Sequence, residues 1–74
     1  MYSLAVTYSD GDRLIADLHR DGVRVAYVSD NGMTGTFLRF DSAAERHMYR
    51  LVASERYDGF TDAANLYLAE LLGR

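Results

Sequence analysis

Two dipeptides constrain this chain more than any other feature: Asp21-Gly22 and Asn31-Gly32. A two-residue hairpin loop of the I′ type needs positive φ at both central positions, which Asp-Gly and Asn-Gly tolerate best. Each dipeptide separates two apolar-rich segments, so residues 13 to 40 read as two hairpins sharing a central strand. Closing both as two-residue loops fixes the pairing. Around Asp21-Gly22, Leu18 faces Val25 and Ala16 faces Tyr27. Around Asn31-Gly32, Tyr27 faces Thr36, Val25 faces Leu38 and Val23 faces Phe40. Both turns then place Val23, Val25 and Tyr27 on one apolar face with Leu14, Ala16, Leu18, Leu38 and Phe40. A slip of one residue would send each strand's side chains to the opposite face.

Residues 2 to 8 alternate Tyr2, Leu4, Val6, Tyr8 against Ser3, Ala5, Thr7, the period of a strand. A three-residue loop over 10 to 12 sets Tyr8 opposite Leu14, Val6 opposite Ala16 and Leu4 opposite Leu18. Residues 12 to 20 also fit a helix, with Ser9 or Asp10 as cap and Gly22 beyond its end, but the register agreement downstream requires a strand. After Phe40 the period changes to 3.6. Ser42 and Glu45 form a capping box, and Ala44, Met48, Leu51 and Val52 make one stripe, predicting a helix over about 42 to 57. Gly59 suits a left-handed position after it. Thr61 caps a second helix to about 72, with core stripe Ala64, Tyr67, Leu68 and Leu71. The fold expected is α+β in a single domain over residues 1 to 74: a four-stranded antiparallel meander over 2 to 40, then a helical hairpin (ββββαα). The alternative order is βαββαα.

A chain of 74 residues buries only roughly 60% of its unfolded surface, so stability is marginal and a partner or second copy would help. No cysteine is present, which excludes disulfides and thiolate chemistry. Net charge is −3, with arginines and acids interspersed, so bulk electrostatics recruit neither nucleic acid nor an anionic membrane. No apolar run is long enough to span a bilayer and no basic region leads into a signal core, so a cytoplasmic protein is expected.

The residues that could carry chemistry point away from an enzyme. His19 and His47 have no second histidine or carboxylate at metal-ligand spacing. Asp10-Gly11-Asp12 lacks the later acidic positions of a calcium loop and is explained by turn chemistry. Neither a phosphate loop nor a Gly-x-Ser-x-Gly elbow is present. No catalytic residue, cofactor or metal is therefore expected. The helical hairpin suggests helix–turn–helix DNA binding, but its second helix carries Asp62, Asn65 and Glu70 and no interior arginine, which repels phosphate. Of the six tyrosines, Tyr2, Tyr8, Tyr27 and Tyr67 fall on expected core faces, while Tyr49 and Tyr57 lie off the first helix stripe.

The informative feature is the other sheet face. The expected pairing sends Ala5, Thr7, Ile15, Asp17, His19, Arg24, Ala26, Val28, Phe37 and Arg39 outward. Ile15 then faces Val28 and Ala26 faces Phe37, while His19 pairs with Arg24 and Arg24 faces Arg39. An exposed contiguous apolar patch on a face that should be polar marks an interaction site. The expected partner-binding residues are Ile15, His19, Arg24, Ala26, Val28, Phe37 and Arg39, engaging a protein partner, a second copy, or both.

In small size, acidic composition and lack of a catalytic site, the chain resembles the anti-defence proteins of bacteriophages, anti-CRISPR inhibitors among them. The resemblance is one of general character and assigns no residue a role. It implies a cofactor-free inhibitor that occupies a surface of a host defence complex in the host cytoplasm. Two other readings are a small RNA- or single-strand-binding sheet, with Phe37 stacking a base and Arg24, Arg39 and His19 meeting phosphates, and an antitoxin or regulatory subunit.

Overall fold

The computed structural model describes residues 1 to 32 and 35 to 73. Four strands form one antiparallel sheet in the order β1-β2-β3-β4: β1 is Tyr2–Ser9, β2 Leu14–Arg20, β3 Val23–Asp30 and β4 Thr36–Phe40. Two helices follow, α1 over Ala43–Arg56 and α2 over Ala63–Leu71. The α+β meander with a helical hairpin is thus the fold, and residues 14 to 20 are strand. The chain divides into two compact units, Met1–Asp41 and Ser42–Arg74.

Within the first unit, the Asp21-Gly22 turn forms as the sequence predicts. Asp21 has φ 53° and Gly22 φ 86°, and Arg20 faces Val23 across a two-residue loop. The Met1 ammonium pairs with the Asp21 carboxylate, and the Asp21 N–H donates to the Met1 carbonyl, tying the start of β1 to this turn.

The expected register is lost immediately after the turn. His19 still faces Arg24, but Leu18 faces Ala26 in place of Val25, because a bulge inserts one residue into β3. Val25 and Ala26 together stand opposite Leu18, and both are buried. A bulge puts two residues of one strand against one of its partner and so reverses the facing of everything beyond it. Ala26 and Val28 therefore join Ala16 and Leu18 on the inner face, all four at 0% exposure, and Tyr27 turns outward opposite Asp17. Val23, expected in the core, is exposed.

The second hairpin departs further. Asp30 faces Thr36, so the connection is the five residues 31 to 35 and not a two-residue turn. Gly32 and Gly35 supply the positive φ, at 77° and 88°, while Asn31 is not left-handed. The Asp30 carboxylate accepts from the Gly32 N–H at 2.7 Å and the Thr36 hydroxyl at 3.3 Å. This side-chain mimicry of a turn lets Asp open a longer loop. The resulting pairs are Val28 with Leu38 and Ala26 with Phe40, three positions from those expected.

A second bulge lies in β1. Leu4 faces Leu18 and Val6 faces Ala16 as predicted, but Tyr8 faces Ile15 and not Leu14. The extra residue is Thr7, whose hydroxyl donates to the Ile15 carbonyl at 3.2 Å. The loop after β1 is organised by Asp10, whose Oδ1 accepts from the N–H groups of Asp12 and Arg13 at 2.9 and 2.8 Å.

In the second unit, Ser42 caps α1 by accepting from the Glu45 N–H at 3.2 Å. The buried stripe of α1 is not the one expected. Tyr49 and Ala53 are buried, whereas Met48 and Leu51 are 46% and 49% exposed. Tyr49 wins because its partners lie on α2: its ring stacks on Tyr67 with centroids 5.5 Å apart, and its hydroxyl donates to the Ala64 carbonyl at 2.8 Å. Tyr57 N–H closes α1 onto the Ala53 carbonyl, and the Phe60 N–H turns back to the Tyr57 carbonyl with Gly59 at φ 87°. The N-cap of α2 is Asp62 and not Thr61. Ala63, Tyr67 and Leu68 are its buried residues, with Ala64 and Leu71 half-buried.

Candidate functional site: the outward face of the sheet

The two bulges decide which side chains meet on the outward face. Three rows run across the strands, each built from directly opposed residues. The first carries Tyr8, Ile15, Ser29 and Phe37; the second Ala5, Asp17, Tyr27 and Arg39; the third Ser3, His19 and Arg24. Of the expected partner-binding residues, Ile15, His19, Arg24, Phe37 and Arg39 stand on this face. Ala26 and Val28 do not: the bulge at Val25 rotates them inward, where they are buried. The expected contacts of Ile15 with Val28 and of Ala26 with Phe37 are replaced by a row in which Ser29 separates Ile15 from Phe37.

The structure brings Tyr8 and Tyr27 to this face, and the alternation pattern placed both in the core. One signal in the sequence marks the β3 error. Residues 25 to 28 read Val-Ala-Tyr-Val, four apolar residues in succession, which a strictly alternating strand with one polar face does not contain. A bulge reconciles that run with an alternating pattern on either side of it.

The face is therefore more aromatic than the sequence suggested. Phe37 is 60% exposed and Tyr8 48%, while Tyr27 and Ile15 are half-buried. Tyr8 is oriented by its hydroxyl, which donates to Asp10 Oδ2 at 2.6 Å. That bond raises the Tyr8 pKa, and it is the largest cause holding the Asp10 carboxyl below its ordinary range.

Charge is distributed unevenly over the same surface. Arg24 Nε lies 3.1 Å from Asp17 Oδ1, and its terminal nitrogen 3.5 Å from Asp41 Oδ1. Exposed pairs of this kind contribute little to stability, but they fix the Arg24 fork over the second row. Arg39, beside Tyr27 on the neighbouring strand, makes no ion pair among the described residues. Arg24, Tyr27, Arg39, Phe40 and Asp41 line an open concavity. A guanidinium with no ion pair among the described residues, beside aromatic rings, suits a carboxylate or phosphate held against an apolar body.

Among the described residues no group of three histidine or acidic side chains is arranged to hold a metal ion. No helix of the described residues is long and apolar enough to cross a membrane. Comparison with protein-family models, with curated proteins and with solved structures finds no match to this chain.

Proposed function

We propose that the protein is a non-catalytic binding module that holds a protein partner against the outward face of its sheet, and that it acts as an inhibitor by occupying a surface of a host defence complex. The observation that carries the binding reading is the exposure of Tyr8 and Phe37 on one face with the half-buried Tyr27 and with Arg39, which makes no ion pair among the described residues. Tyrosine and arginine are enriched among the residues that dominate interface energetics, because each offers a large apolar area with a polar end. The inhibitor reading follows from the chain's resemblance to small anti-defence proteins. In that role Arg39 meets an acidic group of the partner, and Phe37 enters an apolar pocket beside it.

The test is capture from a bacterial host extract by the wild-type chain and by Phe37→Asp and Arg39→Glu, with bound proteins identified by mass spectrometry. The proposal expects a component of a defence complex on the wild-type chain and its loss from both variants. Equal capture by all three chains would remove the outward face from the account.

A second reading, single-stranded nucleic acid, is favoured by the same three aromatic rings, since bases stack on such platforms beside arginine. It predicts saturable binding of a labelled oligonucleotide that weakens steeply with salt. The protein-binding reading predicts no saturable oligonucleotide binding.

A further inference from the structure

We infer that the concavity beside the Val25 bulge is a receptor for a singly charged carboxylate on an apolar body, gripped by Arg39 and selected against phosphate by Asp17 and Asp41. The inference rests on the reading of the outward face as the contact surface, and it names the chemical group that surface takes.

The bulge builds the site. Arg24 faces His19 and Tyr27 faces Asp17, two positions apart on β2, yet two residues separate Arg24 from Tyr27 on β3. Those two, Val25 and Ala26, are both buried, so Arg24 and Tyr27 become neighbours on the outward face. The other side comes from β4 and the residue after it. Arg39 faces Tyr27, and Asp41 is tied back to β3 by its N–H, which donates to the Val25 carbonyl at 2.9 Å. Arg24, Tyr27, Arg39, Phe40 and Asp41 line a concavity of about 620 Å³, within the range of small-ligand sites. All five residues belong to the first compact unit.

The two guanidinium groups are not equivalent. Arg24 is committed, with Nε 3.1 Å from Asp17 and a terminal nitrogen 3.5 Å from Asp41. Arg39 is exposed, and its side chain makes no ion pair or hydrogen bond among the described residues. Its planar fork matches a carboxylate through two parallel hydrogen bonds. Tyr27, directly opposite, supplies apolar surface for the body that carries the carboxylate.

Charge decides between anions. Two arginines and two aspartates surround the concavity, so it has no net positive charge with which to gather a dianion. A phosphate monoester carries about −1.5 to −2 at neutral pH and would set that charge beside both carboxylates. A carboxylate brings a single charge, which Arg39 alone balances.

Heteronuclear NMR titrations of the whole chain with benzoate, phenyl phosphate and the dinucleotide thymidylyl-thymidine test the site. Benzoate should saturate in the millimolar range, move the amide signals of Tyr27 and Arg39, and bind more tightly than either phosphate. Arg39→Lys, which keeps the charge without the fork, should lose most of that affinity, and Arg39→Gln all of it, with circular dichroism unchanged in both. Asp41→Asn should raise the affinity for phenyl phosphate more than that for benzoate. The inference is overturned if benzoate does not saturate, if wild type prefers either phosphate, or if Arg39→Gln binds benzoate as wild type does. Capture from host extract separates it from the reading beneath it. Benzoate binding as described, with capture indifferent to Arg39→Glu, keeps the receptor and removes the outward-face partner. Capture lost in Arg39→Glu without any benzoate binding keeps the partner and refutes the carboxylate.

Discussion

Replacing Val28 with Asp and Phe37 with Asp should have opposite effects on folding, and the contrast isolates the bulge at Val25. Val28 is fully buried between Ala16 and Leu38 on the inner face. Val28→Asp forfeits the burial of a valine side chain, about 1.5–3 kcal/mol. It also leaves a carboxylate with no basic residue in its row of the sheet, which costs several kcal/mol more whether the group stays charged or takes up a proton. A chain of 74 residues has a total stability of about 4–11 kcal/mol at ordinary per-residue values. The substitution therefore removes most or all of it. Phe37 is 60% exposed on the outward face, and Phe37→Asp should cost no more than about 0.5–1 kcal/mol. Far-ultraviolet circular dichroism with urea melts reads both. Val28→Asp should show no cooperative transition, while Phe37→Asp should melt cooperatively within about 1 M of wild type, at an m-value of roughly 1 kcal/mol/M or more. A folded Val28→Asp would mean that β3 pairs without its bulge and that the two faces are exchanged.

Three further expectations follow from local contacts. Tyr49→Phe strips the hydroxyl from the Ala64 carbonyl and should cost about 1 kcal/mol, whereas Tyr49→Ala should cost about 3–5 kcal/mol; equal costs in urea melts would dismiss the hydrogen bond. Gly32→Ala places a Cβ 3.0 Å from the Asp12 carbonyl at a φ of 77° and should destabilise by about 1–3 kcal/mol, which an unchanged thermal midpoint would contradict. Arg56 grips Glu70 at 2.6 and 2.5 Å, and Tyr57 donates to the same carboxylate at 2.6 Å. Glu70 is held below the ordinary glutamate range, first by Arg56 and then by Tyr57, so its contribution is present above that range and is lost as pH falls through the depressed value. Tyr57 is raised, chiefly by its bond to Glu70, so its contribution is complete below the ordinary tyrosine value and is lost as pH climbs through the raised one. The gap in thermal midpoint between wild type and Glu70→Gln should be widest near neutrality and close in acid; a gap independent of pH would speak against the cluster.

Element order and one turn were legible in the sequence because both rest on local chemistry. Asp21-Gly22 has an intrinsic preference for positive φ, and Ser42 with Glu45 marks a helix start wherever it occurs. Register was not legible, because it depends on what a strand meets. Asn31-Gly32 carries the same local preference as Asp21-Gly22, yet Gly35 and the Asp30 side chain stabilise a longer loop. The helical phase of α1 failed for a related reason. Met48, Leu51 and Val52 make as good a stripe as Tyr49, Val52 and Ala53 until Tyr67 and the Ala64 carbonyl are in place. Ile15, His19 and Arg24 remained on the outward face because they lie outside the stretch that the Val25 bulge turns over, and Phe37 and Arg39 remained there because the three-position shift of the second hairpin cancels that reversal. Ala26 and Val28 lie within the reversed stretch.

The outward face depends on the bulge at Val25, which sends Tyr27 out to join Phe37 and Arg39. The most direct measurement is the pattern of Hα–Hα nuclear Overhauser contacts between β2 and β3. Opposed non-hydrogen-bonded residues bring their Cα atoms to about 4.5 Å, close enough for a strong contact. In the bulged register Asp17 faces Tyr27 and Ile15 faces Ser29, so strong Asp17–Tyr27 and Ile15–Ser29 contacts are predicted. Asp17–Ala26 and Ile15–Val28 contacts in their place would mean a regular hairpin, with Tyr27 facing inward and the outward face dismantled.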